Sequence, residues 1–267
     1  KSLLFDLASV KVSPLRTSVS ESKQTNTIEK RFNPPKGYKR VKIIEDSFEA
    51  YLRTLKLKPK DARVKYHSGT YKSPEDIYCA VVDLDIGNKN LHQCADAVIR
   101  LKAEYHWQKK EYDQIEFKLT NGFNVPYANW LKGMRVDVKG NTTKWISGFD
   151  TSNSYEDFWK YLEFVFMYAG TASLEKEMHP KNIEKAEIGD VLIKGGFPGH
   201  AVIIVDKAIH LETGEAVYLL AQSYMPAQEI QILNNPNNEP FNPWYRFDQD
   251  MIITPEWVFE SINLREF

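Results

Sequence analysis

The chain has 267 residues, 42% of them hydrophobic and 13% aromatic, enough to bury one large core without a second full domain. A formal net charge of −1 offers no overall basic surface for a phosphate backbone, which excludes nucleic acid as the expected partner. No apolar run approaches the roughly 18 residues that a membrane-spanning helix needs.

Residues 1–37 differ from the rest. After KSLLFDLASVKV comes SPLRTSVSESKQTNTIEKRFNPPKG, rich in Ser, Thr, Lys and Arg. Such a composition buries too little apolar surface to offset its ordering entropy and predicts a flexible tether; a terminus laid across the domain is the alternative. The sequence starts at Lys1, so a leader ahead of it is expected to have been removed, leaving residues 1–37 as a spacer from a possible membrane anchor. Residues 38–267 are then expected to form one domain.

A helix is predicted over Ser47–Leu55, followed by strands near Val64–His67 and Ile77–Ile86. In VVDLDIG, Asp83 and Asp85 alternate and share one side of the strand, a pattern commoner on a solvent face than around a metal. The six histidines show no close ligand spacing with cysteine, and no metal site is expected. Cys79 lies in the same strand. A disulfide from Cys79 to Cys94 would silence either thiol, but two cysteines in a chain of this size do not suggest a disulfide scaffold, and free thiols are expected.

In LHQCADAVIRLKAEYHW (residues 91–107), Ala95, Val98, Leu101 and Tyr105 fall near one helical face. Asn90 as N-cap and Gln93 three residues on make a capping box that places Cys94 in or just after the first turn. Free N–H groups and the positive end of the helix dipole favour a thiolate there, and the same N–H groups can form part of an oxyanion hole. Free cysteine is also among the most buried residue types, so an inert core cysteine is the rival reading of Cys94. Arg100 and Glu104, four apart, are expected to pair on the helix surface.

A strand near Gln114–Thr120 and helices around Tyr127–Lys132 and Tyr155–Tyr168 come next. In GDVLIKGGFPGHAVIIVD (residues 189–206), His200 stands where a glycine-rich turn becomes an apolar strand. That is a place for a general base, and Gly196 and Gly199 remove side-chain bulk so that a substrate backbone can approach. AVIIVDKAIH, LETGE and AVYLLAQSY read as a hairpin with Gly214 at its positive-φ turn position. Gln222, Ser223 and Tyr224 thereby return to the level of His200. Gln222 would lie opposite residues 202–204, where it can orient the imidazole and fix its tautomer; a one-residue register change would send it to the other face as an ordinary strand residue. A strand near Glu229–Leu233 and a short helix from Pro255 close the chain.

A helix-leading Cys, a strand-leading His and a third polar residue on the next strand resemble the NlpC/P60 group of papain-like cysteine peptidases and amidases, with Cys94, His200 and Gln222 at the matching positions. Gln stands where that group more usually has His, Asn or Asp. The resemblance implies an α+β fold with a papain-like antiparallel core and a large insertion between the Cys94 helix and Gly189 that shapes a substrate cleft. Over nearly its whole length the chain is similar to an uncharacterised bacterial family, domain of unknown function 4846, through QCADAVIRLKAEY (93–105), YAGTASLEKE (168–177), PGHAVIIVD (198–206), LLAQSYMPAQEI (219–230) and TPEW (254–257). This implies a bacterial, exported protein of the periplasm or cell surface.

The expectation is a monomeric cysteine hydrolase that needs no cofactor and acts on cell-wall or other peptide amides. Cys94 would be the nucleophile, His200 the base and Gln222 its orienter, with Gly196, Gly199, Ser223 and Tyr224 against the substrate. The alternative is a non-catalytic periplasmic or surface module that binds peptide or peptidoglycan fragments on the same fold.

Overall fold

Ten consecutive residues, HAVIIVDKAI, carry only three polar side chains, the pattern of a strand covered on both faces, and this strand is the axis of the fold. The computed structural model describes residues 26–237 and 240–267. The described chain opens with helix α1 (Ile28–Arg31), strand β1 (Tyr38–Arg40) and helix α2 (Phe48–Arg53). The Ser47 hydroxyl caps α2 by accepting the Ala50 N–H. Strand β2 (Tyr78–Val81) leads to the long helix α3 (Cys94–Gln108). A hairpin of β3 (Glu116–Lys118) and β4 (Asn124–Pro126), helix α4 (Tyr127–Leu131) and a hairpin of β5 (Arg135–Lys139) and β6 (Thr142–Ile146) follow. Helices α5 (Tyr155–Tyr168) and α6 (Thr171–Glu177) come next. Strands β7 (His179–Pro180), β8 (Val191–Lys194), β9 (His200–His210), β10 (Ala216–Gln222) and β11 (Gln231–Leu233) then build the main sheet. The chain closes with a hairpin of β12 (Met251–Ile253) and β13 (Val258–Glu260), and with β14 (Leu264–Glu266).

The main sheet is antiparallel, in the order β2-β11-β10-β9-β8-β14-β7, with β1 added along β9. Strand β9 is long enough to serve two partners on one edge: β8 takes its start, with Lys194 opposite His200, and β1 its end, with Arg40 opposite Ala208. Helix α3 packs on β9 and β10, and α2 on β9. Helices and antiparallel strands thus form an α+β domain, as the sequence implies. The ion pairs of Asp206 with Arg40 and Arg53, both 2.7 Å, tie β1 and α2 to the middle of β9.

The β9–β10 turn uses Gly214 at φ +74°. Leu219 faces Asp206 but Leu220 faces Ile204, so Val205 is an extra residue, a β-bulge. Pairing resumes with Ala221 opposite Ile203, which brings Gln222 opposite Val202, on the face that Val202 shares with His200. Uninterrupted pairing would have set Gln222 opposite Ile203, pointing away.

The structure corrects several expectations. The domain starts ahead of residue 38: Ile28 is fully buried, its N–H bonds the Leu55 carbonyl, and the Asn26 amide bonds the Leu57 and Lys58 carbonyls. Two apolar residues, Ile28 and Phe32, dock a segment whose average composition reads as a tether. Residues 1–25 of the tether expected over 1–37 lie outside the described residues. No helix starts at Pro255; residues 254–257 turn between β12 and β13, with the Thr254 hydroxyl accepting the Trp257 N–H. Residues 64–67 make only isolated bridges, Lys65 to Tyr71 and Tyr66 to Gln228. Arg100 and Glu104 do pair, at 3.4 Å, but inside the protein: the guanidinium lies over Trp159, and the Tyr155 hydroxyl donates to Glu104 at 2.5 Å. Helix α3 is covered on both sides because the segment after it packs back through aromatic rings, with Trp107 stacked on Phe158.

Candidate functional site

Gln93, not Asn90, is the N-cap of α3, and Asp96 closes the first turn by accepting the Gln93 N–H at 2.9 Å. Asn90 Oδ1 instead accepts the Ala227 N–H at 2.8 Å, which ties this loop to the one after β10. Cys94 is therefore the first residue of the helix. The residue is 9% exposed, and its sulfur lies near the backbone N–H of Ala201, the residue after His200. Burial, reinforced by the Asp96 carboxylate, pushes the thiol up to about 11, against the backbone N–H groups of Ala95, Ala201 and Cys94 that favour the thiolate.

His200 heads β9 with no exposed surface. Its Nε2 donates to Gln222 Oε1 at 2.7 Å, while Nδ1 is buried without a hydrogen-bond partner. Burial pulls the imidazole down to about 4, outweighing the Gln222 hydrogen bond; the Lys72 charge adds a smaller push the same way. The rings of Tyr224, Trp257 and Phe259 surround it, with centroids at 4.8, 5.5 and 5.8 Å. Trp257 and Phe259 come from the β12–β13 hairpin.

Gln222 is held from its other side as well. Its Nε2 donates to Glu256 Oε2 at 2.6 Å, and Lys72 Nζ donates to the same oxygen at 2.6 Å and to Gln228 Oε1 at 2.9 Å. Gln228 Oε1 also accepts from Gln231, which stands opposite Gln222 across the β10–β11 pair. Sequence reading missed Lys72, Gln228 and Glu256. One signal was available, since Gln222, Gln228 and Gln231 recur between the apolar runs AVYLLA and IL, where buried amides need partners.

The structure joins His200 to Gln222 and Tyr224 and sets Cys94 beside Ala201, with no hydrogen bond between Cys94 and the His200 ring, and it commits the other expected contacts elsewhere. Gly199 is enclosed: a Cβ there would sit 2.3 Å from Thr171 Oγ1 and 2.7 Å from the Gly196 carbonyl, so packing against α6 accounts for this glycine. Gly196 adopts φ +141° in the same turn. Ser223 is buried and its hydroxyl lies 3.0 and 2.7 Å from the His92 and Gln228 carbonyls, so its proton is committed within the protein. Both cysteines are free thiols; Cys79 on β2 points at the Ile232 carbonyl, and burial pushes it up to about 12. Asp85 accepts the Gly87 N–H, and among the described residues no group of three or more His, Cys, Asp or Glu is placed to hold a metal ion. A surface cavity of about 590 Å³ lies away from the pair, between α2 and the end of α3, where Tyr51, Tyr105 and Lys109 line it. No helix among the described residues is long and apolar enough to cross a membrane.

Fold and site together define an α+β domain in which a helix-leading cysteine lies beside the second residue of a strand whose leading histidine sits under an aromatic cover. The chain belongs to the family described as domain of unknown function 4846, whose model matches residues 28–266. No curated protein and no solved structure matches it.

Proposed function

We propose that the protein is a cysteine hydrolase of peptide amide bonds with a papain-like arrangement of Cys94, His200 and Gln222. The observation that carries this reading is the division of labour on the His200 ring. Nε2 is committed to Gln222, while Nδ1 is buried and unpartnered at the head of a strand whose next amide, Ala201, faces the Cys94 sulfur. An orphaned buried nitrogen costs about 1–3 kcal/mol, and a proton-accepting role explains why it persists.

In this reading Nδ1 takes the Cys94 proton as sulfur attacks the carbonyl carbon. First-turn N–H groups of α3, which have no intrahelical acceptor, face the oxyanion. The imidazolium then gives its proton to the leaving amine, and water, deprotonated by Nδ1, releases the acyl group as an acid. The substrate class carried over from the NlpC/P60 resemblance is cell-wall peptide, met outside the cytoplasm by a monomer.

The burial of both groups favours a second reading, a binding module on the same fold, because Tyr224, Trp257 and Phe259 pack around His200 and must shift before a substrate can reach its ring. The deciding experiment incubates the protein with muropeptides and reads new free amines by mass spectrometry. Release by the wild type and none by Cys94→Ala, with binding retained, supports the hydrolase. Muropeptide binding unchanged by Cys94→Ala, with no release by either protein, supports the module.

A further inference from the structure

We infer that Glu256 is a positioning residue that fixes the His200 proton on Nε2 by locking the Gln222 amide, with Lys72 as its anchor. A glutamine side chain presents an oxygen and an NH2 group of nearly the same shape, and either end can meet an imidazole. If the oxygen faces Nε2, that nitrogen must carry the proton and Nδ1 is bare. If the NH2 group faces it, Nε2 must be bare and the proton sits on Nδ1.

What breaks this symmetry is the far side of the amide. A carboxylate has no hydrogen to give, so Glu256 Oε2, 2.6 Å from Gln222, can only accept, and the NH2 end must point to it. Gln222 Oε1 is thereby turned to His200. Lys72, 2% exposed, neutralises the carboxylate and points it at Gln222 through its own 2.6 Å bond to the same oxygen. Gln228 holds the ammonium in place. Glu256 sits in the β12–β13 turn, so the hairpin that covers His200 also sets its tautomer. The catalytic meaning of this lock rests on the hydrolase reading, since a thiol can pass its proton only to a nitrogen that carries none; the tautomer itself can be observed without turnover.

The test is long-range 1H–15N correlation on the full chain labelled with 15N-histidine, at pH 7. The wild type is expected to show His200 as a single Nε2-protonated form, Glu256→Ala a mixture or the Nδ1-protonated form, and Glu256→Gln, which keeps an acceptor for Gln222, the wild-type pattern. The other five histidines report that the variants are folded. An unchanged single tautomer in Glu256→Ala, or an Nδ1-protonated wild type, overturns the inference. Where peptide turnover is found, Glu256→Ala is expected to lower kcat roughly 10–100-fold with little change in KM, and Glu256→Gln to restore it. A tautomer that shifts as expected in a protein with no turnover sinks the hydrolase reading and keeps the lock. Turnover with an unmoved tautomer does the reverse.

Discussion

Leu220 stands opposite Ile204, one residue away from the partner that the pairing of Leu219 with Asp206 would give it. That single offset carries Gln222 to the face of His200, where it bonds Nε2 while Nδ1 has no partner among the described residues. Replacing Gln222 by alanine leaves both ring nitrogens buried without a partner. The expected cost is about 1–3 kcal/mol, read as a lower denaturant midpoint at unchanged slope. An unchanged midpoint would mean that the ring finds another partner.

Cys94 reactivity has a definite pH signature. A thiol held near 11 by burial is neutral at pH 7, and only its thiolate alkylates. Iodoacetamide labelling of Cys94 is therefore expected to rise roughly tenfold per pH unit between 7 and 10, with Cys79, held higher still, lagging behind it. A rate already flat at neutral pH would show that Cys94 is a thiolate in the resting protein, contrary to a thiol held neutral by burial.

Residues whose local pattern agrees with their tertiary role were legible in the sequence: the α5 limits, the start of α2 just after Ser47, the β9–β10 hairpin with Gly214, and the places of Cys94 and His200 at element starts. What could not be read depends on packing between distant segments. The register of Gln222 turns on a bulge at Val205, which no turn residue announces. Lys72 and Glu256 are separated by 184 positions and meet only because the C-terminal hairpin folds over the sheet. Spacing alone gave the Arg100–Glu104 pair, but its burial comes from Tyr155 and Trp159, more than 50 residues on. Pro255 reads as a helix start, and the flanking strands MII and VFE are too short for their alternation to overrule it.

Asp206 is expected to be among the most sensitive positions in the sheet. It has no exposed surface, and its two oxygens meet Arg40 and Arg53, each at 2.7 Å. Asp206→Asn keeps the shape but leaves two guanidinium groups facing a neutral amide, Arg53 among them almost fully buried. The expected loss is about 3–5 kcal/mol of unfolding free energy in denaturant titration. A loss below about 1 kcal/mol would show that solvent reaches both arginines.

His92 gives the fold an acid sensitivity that can be isolated. It is buried just ahead of α3, its Nδ1 lies 3.3 Å from the Gln228 carbonyl, and Nε2 has no hydrogen-bond partner. Burial, and then the Arg100 charge, pull the imidazole down to about 3, against about 6.5 in an unfolded chain. Between those values the unfolded state binds a proton that the folded state does not, so this residue's contribution to stability is intact above pH 6.5 and falls as the pH drops toward 3. Asparagine at position 92 can still donate to Gln228 but does not titrate. His92→Asn is therefore expected to be less stable than the wild type at pH 7, through lost packing against Phe166. At pH 4.5 the balance should move in favour of the variant by roughly 2–3 kcal/mol, two pH units below the unfolded value. Paired denaturant curves at the two pH values measure this directly, since every other titrating group is common to both proteins. A stability difference that does not change with pH would show that His92 takes up its proton in the folded state.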